Sequence, residues 1–177
     1  MTSNQLRIAD NLPAPVRIGV TVLAIAAKAR LQEQRRPRSK RKPPLVAVLL
    51  SPYEPLRAAA IAVIARHLSA PVQRVDWSRL LSPYIHETEL NVERLFHAAE
   101  HAGVLLLFDE SDALFGSHGR PLGLDDAAYE ACTEALLARL AHYDGPVCFT
   151  AGNRRHLHPR VLALADPVLD LASAAAA

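Results

Sequence analysis

Two short unbroken apolar runs, Leu45-Val-Ala-Val-Leu-Leu50 and Val104-Leu-Leu-Leu-Phe108, constrain this chain more than any other feature. Neither alternates apolar with polar, as a strand with one wet face does. Runs of this kind read as strands buried on both faces. Such strands need a layer of structure above and another below, so the rest of the chain has to supply helices to both sides of a sheet.

The segments between the runs have the required periodicity. Ala58 to Leu68 reads as an alanine-rich helix with Ile61, Ile64, Ala65 and Leu68 on one side. Asn91 to His101 reads as a helix with Val92, Leu95, Phe96 and Ala99 inward, and Asp125 to Tyr143 as a longer one with Ala128, Cys132, Ala135, Leu136 and Leu140 in a stripe. Val72–Asp76, Val147–Thr150 and Val168–Leu171 complete the set as strands. Trp77, Leu80 and Leu81 read as packing residues. Strand and helix in alternation predict a three-layer α/β fold around a parallel sheet, with ligands bound beyond the carboxyl ends of the strands.

A length of 177 residues, half of them hydrophobic, suits one domain plus a short extension and excludes wholesale disorder. No internal period suggests a repeat array. The net charge of +2 is too mild to mark the whole chain as a nucleic-acid binder. Cys132 and Cys148 form no CxxC pair, which excludes a disulfide scaffold or a cysteine zinc ribbon and makes a reduced, cytoplasmic protein the expectation.

The chain divides into an amphipathic helical extension (1–34), a basic linker (35–44), the α/β domain (45–171) and an alanine-rich tail (172–177). In the extension, Val16, Val20, Leu23, Ala27 and Leu31 recur at three- and four-residue steps. A cleaved signal peptide is the alternative, because Ala24-Ile25-Ala26 looks like a cleavage site; Pro13, Pro15 and Asp10 argue against it. Arg35-Arg-Pro-Arg-Ser-Lys-Arg-Lys42 is basic at six of eight positions. It reads as a solvated linker, or else as a phosphate-backbone contact; the lack of interleaved aromatics disfavours nucleic acid.

The chemistry concentrates in Leu105-Leu-Leu-Phe-Asp-Glu-Ser-Asp-Ala-Leu-Phe-Gly116, where four apolar residues end in Asp109 and Glu110 at a strand tip. In a nucleotide hydrolase, a first carboxylate holds Mg²⁺ through its water shell and a second orients or activates the attacking water. An ordinary strand end with a helix-capping Asp is the plain alternative. The flanking residues resemble the Walker B segment of AAA+ ATPases. Val75-Asp-Trp-Ser-Arg-Leu-Leu-Ser-Pro-Tyr-Ile-His-Glu-Thr-Glu-Leu-Asn-Val92 is similar to that family's second strand, first pore loop and following helix. Phe149-Thr-Ala-Gly-Asn-Arg-Arg-His-Leu-His-Pro159 is similar to its sensor-1 strand, with Asn153 as the polar tip. The likeness runs from about Leu45 to Leu171 and is nearest to bacterial AAA+ ATPases encoded with phage-tail-like contractile injection systems. It implies a P-loop NTPase core with a five-stranded parallel sheet in the order 5-1-4-3-2. ATP and Mg²⁺ would be the ligands, Asp109 would reach the metal through water, and Asp109, Glu110 and Asn153 would be the catalytic set.

The phosphate loop departs from that family. Its place falls on Ser51, Pro52, Tyr53, Glu54, Pro55, Leu56, Arg57 and Ala58, without a glycine. A phosphate cradle needs glycines because successive N–H groups must wrap the anion in conformations costly for other residues. Pro55 lacks an N–H, Leu56 is bulky where backbone should approach, and Ala58 lacks the hydroxyl that would ligate Mg²⁺. Glu54 adds a negative charge, and two like charges about 4 Å apart repel by roughly 4 kcal/mol at an effective dielectric of 20. Arg57 is the one remaining cation and replaces a compact lysine poorly. The stretch Val161–Asp166 lacks the family's arginines, Arg160 lies out of register, and the chain stops at Ala177, short of a helical lid.

His97-Ala-Ala-Glu-His101 matches an inverted zinc-protease pattern, but a solvated helix face explains it more simply. His86, His118, His156 and His158 read as surface residues. Tyr84-Ile85 stands in the pore-loop position; Pro83 and His86 replace the usual basic residue and glycine, so a polypeptide grip and a plain loop tip are both open. Asp166 and Asp170 receive no role. The expected protein is a pseudo-ATPase with no tightly bound cofactor. It would act as a scaffold or regulatory subunit on a protein partner, an active AAA+ relative or an injection-system component, in a homo- or hetero-oligomer without membrane contact. The alternatives are an active or weakly active ATPase that uses Arg57, and a nucleic-acid-binding module that uses Arg35 to Lys42.

Overall fold

The computed structural model describes residues 12–34, 44–82, 84–111 and 126–175. The basic run, Pro83, His118, the stretch from Asp112 to Gly116 and the last two alanines lie outside them. In chain order, helix α1 (Ala14–Gln34) precedes β1 (Leu45–Leu50), α2 (Glu54–Leu68), β2 (Val72–Arg74), α3 (Trp77–Leu80) and α4 (Ile85–Ala102). Then come β3 (Leu105–Phe108), α5 (Asp126–Leu140), β4 (Pro146–Ala151), a 3₁₀ turn (Arg154–His156), α6 (Pro159–Leu164), β5 (Ala165–Asp170) and α7 (Leu171–Ala175).

The five strands form one parallel sheet in the order β2-β3-β4-β1-β5, the order 5-1-4-3-2 that the motif likeness implied. The apolar runs serve both faces, because successive side chains of a strand point oppositely. Ala47, Leu49, Leu105, Leu107 and Cys148 join one core with residues of α1 and α2. Val46, Val48, Leu106, Phe108, Val147 and Phe149 join the other, with Val92, Phe96 and Ala99 of α4 and Leu136, Leu137 and Leu140 of α5. Phe149 stacks on Phe108 at 4.8 Å between ring centroids, beside the Val48–Phe149 pairing of β1 and β4. The α1 residues at three- and four-residue steps, Val16, Val20, Leu23, Ala27 and Leu31, are its buried face.

Several boundaries differ from the sequence reading. Helix α2 starts at Glu54, one turn before Ala58, because Pro55 fits a first helical turn and the Glu54 carboxylate suits the positive end of the helix dipole. Helix α4 starts at Ile85 rather than Asn91. The Ser82 N–H donates to Thr88 Oγ1 at 2.8 Å, and the Ser82 hydroxyl bonds the Glu87 carboxylate and accepts the Tyr84 N–H, which pins the first turn. Strand β2 ends at Arg74, α5 ends at Leu140, and β5 spans Ala165–Asp170 rather than Val168–Leu171. The short helices α3, α6 and α7 were not anticipated. Helix α7 occupies most of the expected tail because Asp170 Oδ1 accepts the N–H groups of Ala172 and Ser173. No helix among the described residues is long and apolar enough to cross a membrane.

Tyr143 is fully buried, edge-on to Phe96 at 4.9 Å, and its hydroxyl has no hydrogen-bond partner among the described residues. Burial, reinforced by the nearby Glu100 charge, raises its pKa above the ordinary phenol value. A Cβ on Gly145 would lie 2.4 Å from that ring, so this position needs glycine for close approach. Gly145→Ala is expected to cost about 1–3 kcal/mol in urea denaturation. Tyr143→Phe, which removes a buried unpaired hydroxyl, is expected to stabilise by about 1 kcal/mol. A neutral Gly145→Ala would mean the Tyr143 ring is not held where it lies.

Candidate functional site

Polar residues collect where the apolar strands end, at the carboxyl edge of the sheet. Between β1 and α2 the connection is only Ser51-Pro52-Tyr53. The Ser51 N–H donates to the Ala151 carbonyl at 3.0 Å, and the Tyr53 N–H to Ser51 Oγ at 3.1 Å. The N–H groups of Leu56 and Arg57 both donate to the Tyr53 carbonyl, at 3.1 and 3.3 Å. Pro52 and Pro55 have no N–H to offer. Most donors of the segment 51–58 are therefore consumed inside it or by β4.

Arg57 does not project outward. It is 8 % exposed, its Nη1 donates to the Ser51 carbonyl at 2.7 Å, and its Nε finds no acceptor among the described residues. The guanidinium thus reaches back from α2 to the β1–α2 connection instead of facing solvent. Leu56 is half-buried against the α1–α2 core, Tyr53 and Glu54 are exposed, and Ala58 is already inside α2.

Asp109 sits just past β3, flanked by the ends of β2 and β4. Its Oδ2 pairs with Arg74, and its Oδ1 accepts from the Thr150 hydroxyl and from the Glu110 N–H at 3.2 Å. The register makes this unavoidable: Arg74 lies beside Leu107, and Phe108 beside Phe149, so Thr150 stands opposite Asp109. Glu110 is exposed with φ 52°, a left-handed conformation that costs a non-glycine residue about 1 kcal/mol. The Asp109 charge and, above all, burial push the Cys148 thiol up to about 12, so it stays protonated and inert.

Asn153 is exposed and caps the 3₁₀ turn, its Oδ1 accepting the Arg155 N–H at 3.0 Å. It lines an open cleft of about 650 Å³ at the tips of β1, β4 and β5, together with Ser51, Pro52, Arg154, His156 and Asp170. Hydrogen bonds from Ser173 and Ala172 hold the Asp170 carboxyl below its ordinary value against a smaller effect of burial. Asp109 and Glu110 do not line this cleft. Arg160, which lies out of register with the family's arginines, pairs with Glu134 of α5. Tyr84 is 70 % exposed at the N-cap of α4, and Ile85 is the first residue of that helix rather than part of a loop tip. His97 and His101 lie with ring centroids 4.2 Å apart, and the described residues contain no group of three metal-ligating side chains.

Arg74 and Thr150 are the site residues that the motifs missed. The signal was available: with β2 and β4 on either side of β3, the polar residues ending those strands must flank Asp109.

Residues 57–168 match the ATPase family associated with various cellular activities, AAA. No curated protein matches the chain significantly. Among solved structures, the chain is similar to one in the E. coli MS115-1 HORMA:CdnC:Trip13 complex, with 17% identity, a TM-score of 0.67 and coverage of 96% of this chain and 66% of that one. It is also similar to the FIGL-1 AAA domain, with 15% identity, a TM-score of 0.64 and coverage of 96% and 61%. At these identities the likeness concerns the fold alone. The chain spans somewhat under two thirds of the length of both.

Thr150 is completely buried, and its hydroxyl both donates to Asp109 and accepts the Glu110 N–H at 3.1 Å. Thr150→Val keeps the shape and removes both bonds, so a loss of about 1–3 kcal/mol is expected, largely restored in Thr150→Ser. Equal denaturation midpoints for wild type and Thr150→Val would show that the hydroxyl does not hold the Asp109 carboxylate.

Proposed function

We propose that this chain, which belongs to the AAA family of ATPases (the family associated with various cellular activities), keeps the family's core but not its nucleotide chemistry. It would serve as a scaffold or regulatory subunit in a protein assembly. The observation that carries this reading is the inward Arg57, hydrogen-bonded to the Ser51 carbonyl in a three-residue turn whose N–H groups are already used.

The family implies ATP and Mg²⁺, and the residues present do not fit them. A triphosphate needs free N–H groups in succession and a mobile cation at its β- and γ-phosphates. Here most of the N–H groups have protein acceptors, Glu54 adds like charge, and Arg57 is buried. A hydrated cation at Asp109 would have to share both carboxylate oxygens with Arg74 and the Thr150 hydroxyl. Several such losses, at about 1.4 kcal/mol per tenfold, carry a micromolar site into the millimolar range.

The partner in this reading is a protein: an active relative of the family or a component of a contractile injection system. A similar chain belongs to the HORMA:CdnC:Trip13 complex, an assembly of proteins. One observation favours the second reading, a weakly active ATPase. Asp109, Glu110 and Asn153 all reach the carboxyl edge, and Glu110 holds an exposed carboxylate on a strained backbone. That reading requires Arg57 to leave its buried position.

Phosphate release and thermal unfolding of wild type and Arg57→Ala, with and without ATP and Mg²⁺, separate the two. The scaffold reading expects no turnover above background and no ATP-dependent rise in Tm for either protein. It also expects Arg57→Ala to lose about 1–3 kcal/mol of stability with its charge-assisted hydrogen bond. An ATP-dependent rise in Tm that disappears in Arg57→Ala would favour the ATPase.

A further inference from the structure

The His97-Ala-Ala-Glu-His101 stretch of α4 takes no part in the scaffold reading. Residues four apart on a helix share a face. Here both imidazoles are exposed, with ring centroids 4.2 Å apart and planes tilted by 39°. His101 Nδ1 lies 2.8 Å from the His97 carbonyl oxygen. A carbonyl can only accept, so Nδ1 carries the proton and the neutral ring keeps its lone pair on Nε2. That is the arrangement of a metal-ligating histidine whose second nitrogen is oriented by a backbone carbonyl. His67 and His142 make the same bond, to the carbonyls of Val63 and Ala138. Of these three, only His101 takes its carbonyl from another histidine.

Glu93 and Glu100 stand one turn before and one turn after His97. Arg139 of α5 bonds both, at 3.0 and 3.1 Å. Glu100 is thereby engaged and not poised as the base of a metalloprotease, and the described residues hold no group of three metal-ligating side chains. Arg139 and the exposed Arg94 balance the two acids in charge. Any affinity for a cation here has to come from the imidazole lone pairs.

We infer that His97 and His101 form a two-imidazole site for a late first-row divalent ion, zinc, nickel or copper, on the outer face of α4. Imidazole suits these ions, whereas calcium and magnesium take oxygen ligands. Two protein ligands leave the other coordination positions to water. The ion spans successive turns, so it favours the helical form of a segment that packs through Val92, Phe96 and Ala99. His101 stands two residues before Gly103, where the chain turns into β3, so the pair lies toward the amino edge of the sheet, away from Asp109. This inference goes beyond the scaffold reading and does not depend on whether nucleotide binds.

Calorimetric titration of the intact, untagged chain with Zn²⁺, Ni²⁺ or Cu²⁺ alone tests it. A single ion per chain is expected to bind with micromolar Kd, most tightly for Cu²⁺. His97→Ala and His101→Ala are each expected to weaken binding about a hundredfold, because the second imidazole of a chelate acts at high effective concentration. His86→Ala, at the opposite end of α4, should bind like wild type. Both rings are exposed, so circular dichroism without metal should be the same for every variant; His97→Gln and His101→Gln replace any that differs. In pulsed electron paramagnetic resonance, the Cu²⁺ form should show two imidazole nitrogens in wild type and one in either variant. The inference is overturned if wild type binds no ion at about 0.1 mM, if His97→Ala or His101→Ala binds like wild type, or if His86→Ala loses as much affinity as they do.

Discussion

Burial of β1, β3 and β4 on both faces is the constraint from which the rest of the molecule follows. No polar side chain can be placed freely along Leu45–Leu50 or Leu105–Phe108, since both directions lead into a core. Polar residues are therefore displaced to the strand ends, and the parallel arrangement gathers those ends at one edge. Ser51, Asp109, Thr150 and Asn153 all lie along that edge because their strands share a direction.

What distinguishes this edge is that three of its arginines are spent inside the chain. Arg57 turns to the Ser51 carbonyl, Arg74 to Asp109, and Arg160 to Glu134. Charge-assisted hydrogen bonds are stronger than neutral ones, so each pairing makes its members less available to an outside anion or cation. Arg57 matters most, because it is buried where Arg74 and Arg160 are largely exposed, and exposed pairs contribute little.

Much of this was legible beforehand. The strand runs and helical stripes have strong periods, and the motif order implied the sheet order that the structure has. The boundaries were less legible for local reasons. Pro55 and Glu54 look like loop residues until the first-turn preference for both is considered, and Asp170 looks idle until the five-residue helix it caps is seen. The lost glycines were plain in the sequence, but the fate of Arg57 was not: composition says a cation remains without saying which way it points. Arg74 and Thr150 carry no motif, and only the register of β2 and β4 against β3 gives them a place beside Asp109.

The most direct measurement is a calorimetric titration of ATP with Mg²⁺ into the intact chain. A cradle whose amide donors are used and whose cation faces inward should give no saturable heat at micromolar concentrations, only weak uptake in the millimolar range at most. A micromolar, stoichiometric isotherm that is altered by Asp109→Asn would contradict it.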